Sequence, residues 1–319
     1  MGDVVITLPW LQDLRRQLGD AVQIDLLTRA GEDAIPRALR LFDTVYAASG
    51  GHSRIKLAAG MFRLLAPLRA QRYDMVIDLQ RNRRTRLLRT LLQPRAWAQI
   101  ERFSPTPAGE KYQMGIRASE GVPDSKPDFG LALRDPALGS DLLSAAGYDP
   151  ARPLILLNPA GFFVTRNWPI ERYAAFAQHW SQEVQAEAQY CIMGIGRLSA
   201  KAEALSAQIP GLINLVGKTS PAEAFAIASR AALVLSEDGG LMHMAWVSGT
   251  PTLALFGSSR HDWSGPQGPH SRCLHSGDLA CGACLAATCM HGDVRCLTRY
   301  SPEYVVAQAK ELLQALGRL

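Results

Sequence analysis

The segment over residues 236–257 constrains the fold of this chain more than any other part of the sequence. An apolar run that ends at Leu235 precedes an acidic, glycine-containing turn, a short helical stretch and a second apolar run over residues 252–256. This order predicts two buried strands joined by a helix whose N-terminus faces the end of the first strand. The unpaired N–H groups of such a helix carry about half a positive charge and bind anions, phosphate above all.

The turn itself, residues 238–243, carries side chains and glycines suited to such an anion. Gly239 and Gly240 would let the backbone approach a ligand closely, and His243 follows one helical turn into the helix. A glycine-rich connection with no ligand has the same pattern, and a single histidine is often packed or solvated. The sequence therefore leaves a diphosphate site and an unoccupied turn both open.

Strands alternate with helices along the whole chain, which predicts two parallel-sheet α/β units in series. In the first half, strands are predicted at residues 22–27, 44–47, 75–79 and 96–100, and helices at 8–18, 54–68 and 85–92. In the second half, strands are predicted at residues 154–157, 189–193, 213–216, 232–235 and 252–256, with a final helix over 301–317. Polar and proline residues near 148–153 mark the joint, so the predicted domains are residues 1–149 and 150–319. A ligand is expected where the carboxyl ends of the strands meet a cleft.

Length and composition agree with two ordinary domains. The 319 residues include 47% hydrophobic residues, enough for two buried cores. No run of about 18 apolar residues occurs, and no secretion signal begins the chain. We therefore expect a cytoplasmic protein.

Basic residues are concentrated in residues 51–100. This stretch holds eleven Lys or Arg residues against two acids, Asp74 and Asp78. Such a face attracts polyanions, although a solvated helix surface gives the same pattern. We do not expect nucleic acid as a partner, because aromatic residues are not interleaved with the basic ones and no groove-reading motif is present. An acidic acceptor at an anionic membrane surface fits better, and Arg81, Arg83 and Arg84 are its candidate contacts.

Four of the six cysteines are spaced as a possible metal site. Cys281, Cys284, Cys289 and Cys296 follow one another within a segment rich in glycine and alanine. A structural zinc ion would anchor a segment that has little apolar core of its own. Reduced thiols are the alternative reading, and disulfides are disfavoured in a reducing compartment.

The turn at residues 238–243 resembles the donor-site motif of the glycosyltransferase family 9 heptosyltransferases. The family pattern is Asp-Thr-Gly-x-x-His, followed by Gly-Thr-Pro-x-x-x-Leu-Phe-Gly. Asp238, Gly240 and His243 match it, as do residues 249–251 and 255–257. Gly239 replaces the threonine, so its backbone N–H is expected to take over the contact with the donor diphosphate.

A second resemblance lies at residues 158–169. The family pattern there is Asn-Pro-Gly-Ala, then Thr-Lys-x-Trp-Pro, and Arg166 occupies the position of the lysine. The resemblance implies that Asn158, Thr165 and Arg166 bind the donor and that Arg166 stabilises charge on the leaving diphosphate. A surface arginine beside a packed tryptophan is the alternative. The family often has an acid near residues 194–198 for the ribose; here Arg197 could meet a phosphate or a base instead.

The N-terminal residues 2–9 resemble the family segment Gly-Asp-Val-x-x-Thr-x-Pro, which there follows a first apolar strand. We therefore expect the first strand of the N-terminal domain to be missing from this sequence because translation starts further upstream in the natural protein; a rearranged sheet is the alternative. The resemblance makes Asp3 the base that removes the proton from the acceptor hydroxyl. Asp3 could also cap the helix that follows.

Together these resemblances imply a GT-B fold, with two Rossmann-like domains facing a cleft. The implied activity is inverting transfer of heptose from ADP-heptose to the inner core of the lipopolysaccharide of Gram-negative bacteria, on its lipid A anchor. No cofactor or catalytic metal is expected, and the enzyme would work at the inner face of the cytoplasmic membrane. Three alternatives stay open: a transferase for another nucleotide sugar and a surface polysaccharide, a nucleotide-sugar epimerase, and a non-catalytic nucleotide-sugar binder.

Overall fold

A computed structural model describes residues 2–51, 53–101, 106–118 and 126–319. The chain forms two compact units, one of residues 3–134 and one of residues 135–319. The boundary between the two units lies earlier than the predicted joint, because residues 135–149 already belong to the second unit. The guanidinium group of Arg230 donates to the carbonyls of Leu138, at 2.6 Å, and Pro136. Gly139 lies against the side chain of Ile227.

The N-terminal unit consists of short parallel strands and helices. In chain order its elements are α1 (Gly2–Leu18), β1 (Leu26–Arg29), α2 (Ala34–Ala38), β2 (Val45–Ala48), α3 (Arg54–Arg63), α4 (Leu65–Ala70), β3 (Met75–Asp78), α5 (Arg83–Leu92), β4 (Ala96–Gln99) and α6 (Ala108–Arg117). Helix α1 begins at Gly2 rather than Leu8, and it contains Pro9. The single helix predicted over residues 54–68 is divided at Leu64 into α3 and α4.

The strands of this unit do not form one sheet. Strand β1 pairs with β2 and β3 pairs with β4, both in parallel, and the described residues contain no pairing between β1 and β3. The rearranged sheet considered above is therefore not what the N-terminal unit adopts. A buried face of α1, with Val5, Leu8, Leu11 and Leu14, contributes to its core.

The C-terminal unit contains one continuous sheet. Its elements are α7 (Ser140–Ala145), β5 (Leu154–Asn158), a 3-10 turn (Val164–Arg166), α8 (Ile170–Glu183), β6 (Gln189–Gly194), a second 3-10 turn (Gly196–Leu198), α9 (Ser199–Ser206), β7 (Ile213–Val216), α10 (Pro221–Ala228), β8 (Leu233–Glu237), α11 (Gly240–Val247), β9 (Thr252–Leu255), α12 (His261–Ser264), β10 (Ser271–Leu274), α13 (Arg295–Thr298) and α14 (Pro302–Ala315). The six strands are all parallel, in the order β10-β9-β8-β5-β6-β7.

Strands β5 and β8 lie at the centre of this sheet, and all of their residues are buried. Helices α8 and α14 pack on the sheet and on each other, with Trp180 and Phe176 stacked inside the core. Helix α10 begins with a capping box, in which the Ser220 hydroxyl accepts from the N–H of Glu223. Of the helices in the described ranges, none is both long enough and apolar enough to span a bilayer.

Candidate functional site

Polar side chains gather where β5 and β8 end side by side. Asn158, the last residue of β5, lies opposite Ser236 in the strand register. The Asn158 amide donates to the Ser236 hydroxyl at 2.7 Å, and that hydroxyl donates to the Glu237 carbonyl at 2.7 Å. Asn158 is buried and serves first to join the two strand ends. Its contact with a donor stays a prediction.

Glu237, the last residue of β8, holds the loop over residues 159–168 in place. One carboxylate oxygen accepts from the N–H of Gly161 at 2.6 Å, and the other accepts from the N–H of Trp168, also at 2.6 Å. The side chain is fully buried, and the ammonium group of Lys201 lies 4.0 Å away. A single carboxylate thus fixes both ends of the loop that carries Arg166.

Glu237 stands directly before Asp238, but no role was predicted for it from the sequence. The sequence does contain a hint of its role, because Glu237 closely follows an apolar run. Ionisable residues in such a position are rarely buried unless they are paired. Burial raises the pKa of Glu237 to about 7, while Lys201 and the N–H groups of Gly161 and Trp168 oppose the shift. The carboxyl group therefore costs the fold free energy when it ionises.

We expect Glu237 to make the protein less stable as the pH rises from about 4.5 to about 7. The folded-state pKa lies above the ordinary value of 4.5, so the folded chain binds the proton more tightly than the unfolded chain does. A shift of this size corresponds to about 3 kcal/mol, which is lost as the group ionises. Urea unfolding between pH 5 and pH 8 should show the wild type losing about 2 to 3 kcal/mol relative to Glu237→Gln.

The matched control is Glu203→Gln, which makes the same chemical change on the exposed side of α9. Glutamine at 237 offers one carbonyl oxygen to two N–H donors, so it should be less stable than the wild type at low pH. The diagnostic quantity is the change in this difference with pH. A difference that stays constant from pH 5 to pH 8 would contradict the shifted pKa.

Arg166 lies at the end of the loop and faces the turn after β8. Its guanidinium Nη1 is 3.4 Å from a carboxylate oxygen of Asp238, and the two side chains are 22% and 14% exposed. The buried Nε of Arg166 has no hydrogen-bond partner within the described ranges. Gly161 lets the loop close over this residue, because a Cβ there would lie 2.2 Å from the Arg166 carbonyl oxygen. The structure thus brings together Arg166 and Asp238, as the sequence predicted.

Thr165 is buried, and its hydroxyl and carbonyl groups form hydrogen bonds with neighbouring loops. Its hydroxyl is 2.9 Å from that of Ser258 and donates to the carbonyl of Ala286 at 2.5 Å. The N–H of Ser258 in turn donates to the Thr165 carbonyl at 3.0 Å. These bonds join the Arg166 loop to the cysteine-containing segment. A direct contact between Thr165 and a donor stays a prediction.

Helix α11 begins at Gly240, within the predicted turn, with Gly239 as its N-cap. A Cβ on Gly239 would meet the nearest atom at 3.8 Å, and one on Gly240 would meet nothing within 4 Å. The glycines are therefore not required by the packing of the protein itself, and Gly240 borders open space. His243 is nearly buried, and its Nδ1 accepts from the Trp246 indole at 3.1 Å. In the neutral ring, the proton is then on Nε2.

Two further cations bind the backbone of the Arg166 loop. Arg197 donates to the Ala160 carbonyl at 2.6 Å, and Lys201 donates to the Pro159 carbonyl at 2.6 Å. Burial lowers the pKa of Lys201, although Glu237 opposes the shift. Arg197 was considered above as a contact for a phosphate or a base. In the structure it supports the loop.

The predicted residues of the N-terminal unit lie around α1 and α5. Asp3 is exposed in the first turn of α1, inside the helix rather than at its N-cap. Burial, and then the charge of Asp3, raise the pKa of Tyr112. Arg81 pairs with the carboxylate of Glu101 and Arg83 is exposed. Arg84 is the second residue of α5, and its N–H donates to the side chain of the N-cap, Asn82.

All six cysteines are free thiols, so none of them forms a disulfide. Partial burial raises the pKa of Cys296, and the thiols of Cys289, Cys284 and Cys281 add to that effect. In the part of the chain that the structure describes, no group of three or more His, Cys, Asp or Glu residues is placed to hold a metal ion. The fold therefore adds no support to the hypothesis that the four spaced cysteines bind zinc.

Comparison with known proteins gives one consistent result. A family model described as glycosyltransferase family 9 (heptosyltransferase) matches residues 106–295. Lipopolysaccharide heptosyltransferase 1 of Pseudomonas aeruginosa is 25% identical, over 99% of this chain and 96% of its own.

Solved structures agree on the fold. A family 9 glycosyltransferase of Veillonella parvula superposes with a TM-score of 0.81 at 21% identity, covering 98% of this chain and 94% of the other. The ADP-heptose lipopolysaccharide heptosyltransferase II of E. coli gives 0.73 at 18% identity, covering 99% and 96%. The predicted GT-B class is confirmed.

Proposed function

We propose that this chain, which belongs to glycosyltransferase family 9, the heptosyltransferase family, transfers heptose from ADP-heptose to the inner core of lipopolysaccharide. One arrangement carries the proposal: Arg166 and the N-terminus of α11 meet at the carboxyl edge of β5 and β8. A cation and a set of helix N–H groups are what a nucleotide diphosphate requires. The names of the P. aeruginosa and E. coli relatives support both the donor and the acceptor.

In the proposed reaction the acceptor hydroxyl oxygen attacks the anomeric carbon of the heptose from the face opposite the diphosphate. The bond between that carbon and the diphosphate oxygen breaks, and the configuration inverts. Asp3 takes the proton from the acceptor hydroxyl, which makes the oxygen a better nucleophile. The bonding electrons leave with the diphosphate, where Arg166, the N–H groups of Gly239 and Gly240, and the Nε2–H of His243 stabilise the charge. None of these proposed steps is assigned to a metal or cofactor.

The proposed acceptor is a phosphorylated lipid A-core held at the inner face of the cytoplasmic membrane. The density of Lys and Arg in residues 51–100 supports this, because a basic face concentrates anionic lipids and sugars near the enzyme. Arg83 is exposed for such a contact, and Arg84 lies beside it. Arg81 must first exchange its ion pair with Glu101.

The test is transfer itself. Purified protein is incubated with ADP-heptose and a lipopolysaccharide acceptor that lacks heptose, and ADP release is compared with the mass of the acceptor. We expect equal amounts of ADP and of acceptor heavier by one heptose. Consumption of a UDP-sugar with no turnover of ADP-heptose would refute the donor assignment. Isomerisation of a nucleotide sugar without acceptor would refute transferase activity in favour of an epimerase.

A further inference from the structure

Two neighbouring acids at the end of β8 contact the Arg166 loop in different ways. Glu237 binds the loop backbone, because its two carboxylate oxygens accept from the N–H groups of Gly161 and Trp168 at 2.6 Å each. Asp238 faces the cation of the loop, with a carboxylate oxygen 3.4 Å from Nη1 of Arg166. The first acid thus sets where the loop lies, and the second meets the side chain that the loop carries.

The loop has little freedom once these backbone bonds are made. The 3-10 turn Val164–Arg166 lies between the two N–H donors in the chain. A Cβ on Gly161 would lie 2.8 Å from a carboxylate oxygen of Glu237 and 2.2 Å from the Arg166 carbonyl oxygen, so these three groups are closely packed. The position of the Arg166 backbone therefore depends on that of the Glu237 carboxylate.

Lys201 on α9 supports the same arrangement. Its ammonium group lies 4.0 Å from Glu237, and it donates to the carbonyl of Pro159 at 2.6 Å and to the side chain of Asn167. The amide of Asn167 donates in turn to the Phe163 carbonyl. The lysine thus gives the buried carboxylate a countercharge and binds the loop near the same two ends.

The stability of the fold does not account for an ionised carboxylate at this position. Burial raises the pKa of Glu237 to about 7, so ionisation of this carboxyl group destabilises the fold. Only the ionised form offers an acceptor oxygen to each N–H, because protonation turns one oxygen into a donor. The form that is worse for stability is therefore the form that holds both ends of the loop. Buried groups that lower stability in this way are typical of functional sites.

We propose that ionised Glu237 is a positioning residue for the transfer reaction: it holds Arg166 where the guanidinium group meets the diphosphate at the N-terminus of α11. This inference rests on the proposed function, because it takes Arg166 as the group that stabilises the leaving diphosphate. Glu237 itself touches no substrate, since its side chain is fully buried. Its effect on transfer therefore passes through Arg166.

The test is a double-variant cycle with Glu237→Gln and Arg166→Ala, measured on the full chain at pH 8. Glutamine keeps the size of the side chain but offers one acceptor oxygen to two N–H groups. We expect Glu237→Gln alone to lower kcat by about tenfold or more, but by less than about threefold when residue 166 is already alanine. A merely structural role would reduce the active fraction, and with it kcat, by the same factor in both backgrounds. That result would overturn the proposal.

The pH dependence of transfer gives a second readout. The groups that face Glu237 are Lys201 on α9 and Tyr173 on α8, with Asp238 next to it in the chain, and burial raises the pKa of Tyr173 well above its ordinary value. If ionised Glu237 is about ten times more effective than glutamine, the ratio of the two kcat values should rise from about two at pH 6 to about nine at pH 8. A constant ratio would overturn the proposal. Glu203→Gln, on the exposed side of α9, should match the wild type at both pH values.

A second variant applies if Glu237→Gln folds poorly. Gly161→Ala leaves the acid in place but puts a methyl group against Glu237 and the Arg166 carbonyl, so it displaces the loop. Its loss of kcat should likewise shrink in the Arg166→Ala background, and an equal loss in both backgrounds would refute the positioning role.

Both cycles are also measured as the Kd of ADP by calorimetry, which needs no transfer. Coupling between the two residues in Kd, without any heptose transfer, would refute the proposed function and leave the positioning role in place. Heptose transfer without coupling would refute the positioning role alone. A wild-type chain that neither binds ADP nor transfers heptose would refute both.

Discussion

Substitution of Asp3 by asparagine is expected to lower kcat by about 10² to 10⁴ and to leave the Kd of the donor nearly unchanged. Asparagine keeps the shape of the side chain but cannot take a proton. The carboxylate is exposed in the first turn of α1, so the change disturbs no packing. Initial rates of transfer from ADP-heptose give kcat, and calorimetry with ADP gives the binding constant.

The control is Asp20→Asn, which removes the same charge from an exposed residue just beyond the end of α1. An acid in the first turn of a helix also stabilises it by about 0.3 to 1 kcal/mol through the helix dipole. If this were the whole role of Asp3, the Tm would fall slightly while kcat stayed at the wild-type value. That result would remove Asp3 as the base.

The strands were predictable where an uninterrupted or alternating apolar pattern marks them. In the C-terminal unit the strand predicted at residues 213–216 matches β7, and the other four predicted strands differ from β5, β6, β8 and β9 by a residue or two at their ends. Strand β10, which lies at the edge of the sheet, was missed because Ser271 and Arg272 interrupt its apolar pattern. The strand predicted at residues 22–27 overlaps β1 only at residues 26 and 27. The side chains of Gln23 and Asp25, which precede β1, are hydrogen-bonded to each other.

The candidate site was predictable only in part. Asp238, His243 and Arg166 could be placed because turns at the carboxyl ends of parallel strands gather at one edge of a sheet. Glu237 could not be assigned its role, because its two partners are backbone N–H groups of a loop some seventy residues earlier in the chain. The sequence shows that residue 237 is an acid, but it does not show which N–H groups that acid binds in the fold. The free space beside Gly240 likewise depends on packing.

Arg166→Ala is expected to lower the rate of transfer by about 10² to 10³, the usual cost of removing one preorganised charge stabiliser. The loss has two sources in this structure. The diphosphate loses its cation, and the Asp238 carboxylate, 14% exposed, is left facing it without a countercharge. Arg166→Lys should retain part of the activity, because it keeps the charge but not the bidentate geometry. Arg152→Ala, at the opposite end of β5, removes one positive charge outside the site and is the matched control.

The two sources can be separated by adding Asp238→Asn. If the Asp238 carboxylate repels the diphosphate once Arg166 is gone, the double variant should bind ADP-heptose more tightly than Arg166→Ala alone. We expect a coupling of about 0.5 to 3 kcal/mol, as for other charged pairs in contact. Strictly additive losses would instead mean that Asp238 makes its own favourable contact with the donor. Unchanged kinetics in Arg166→Ala would support the alternative interpretation, in which Arg166 is a surface arginine beside the buried Trp168.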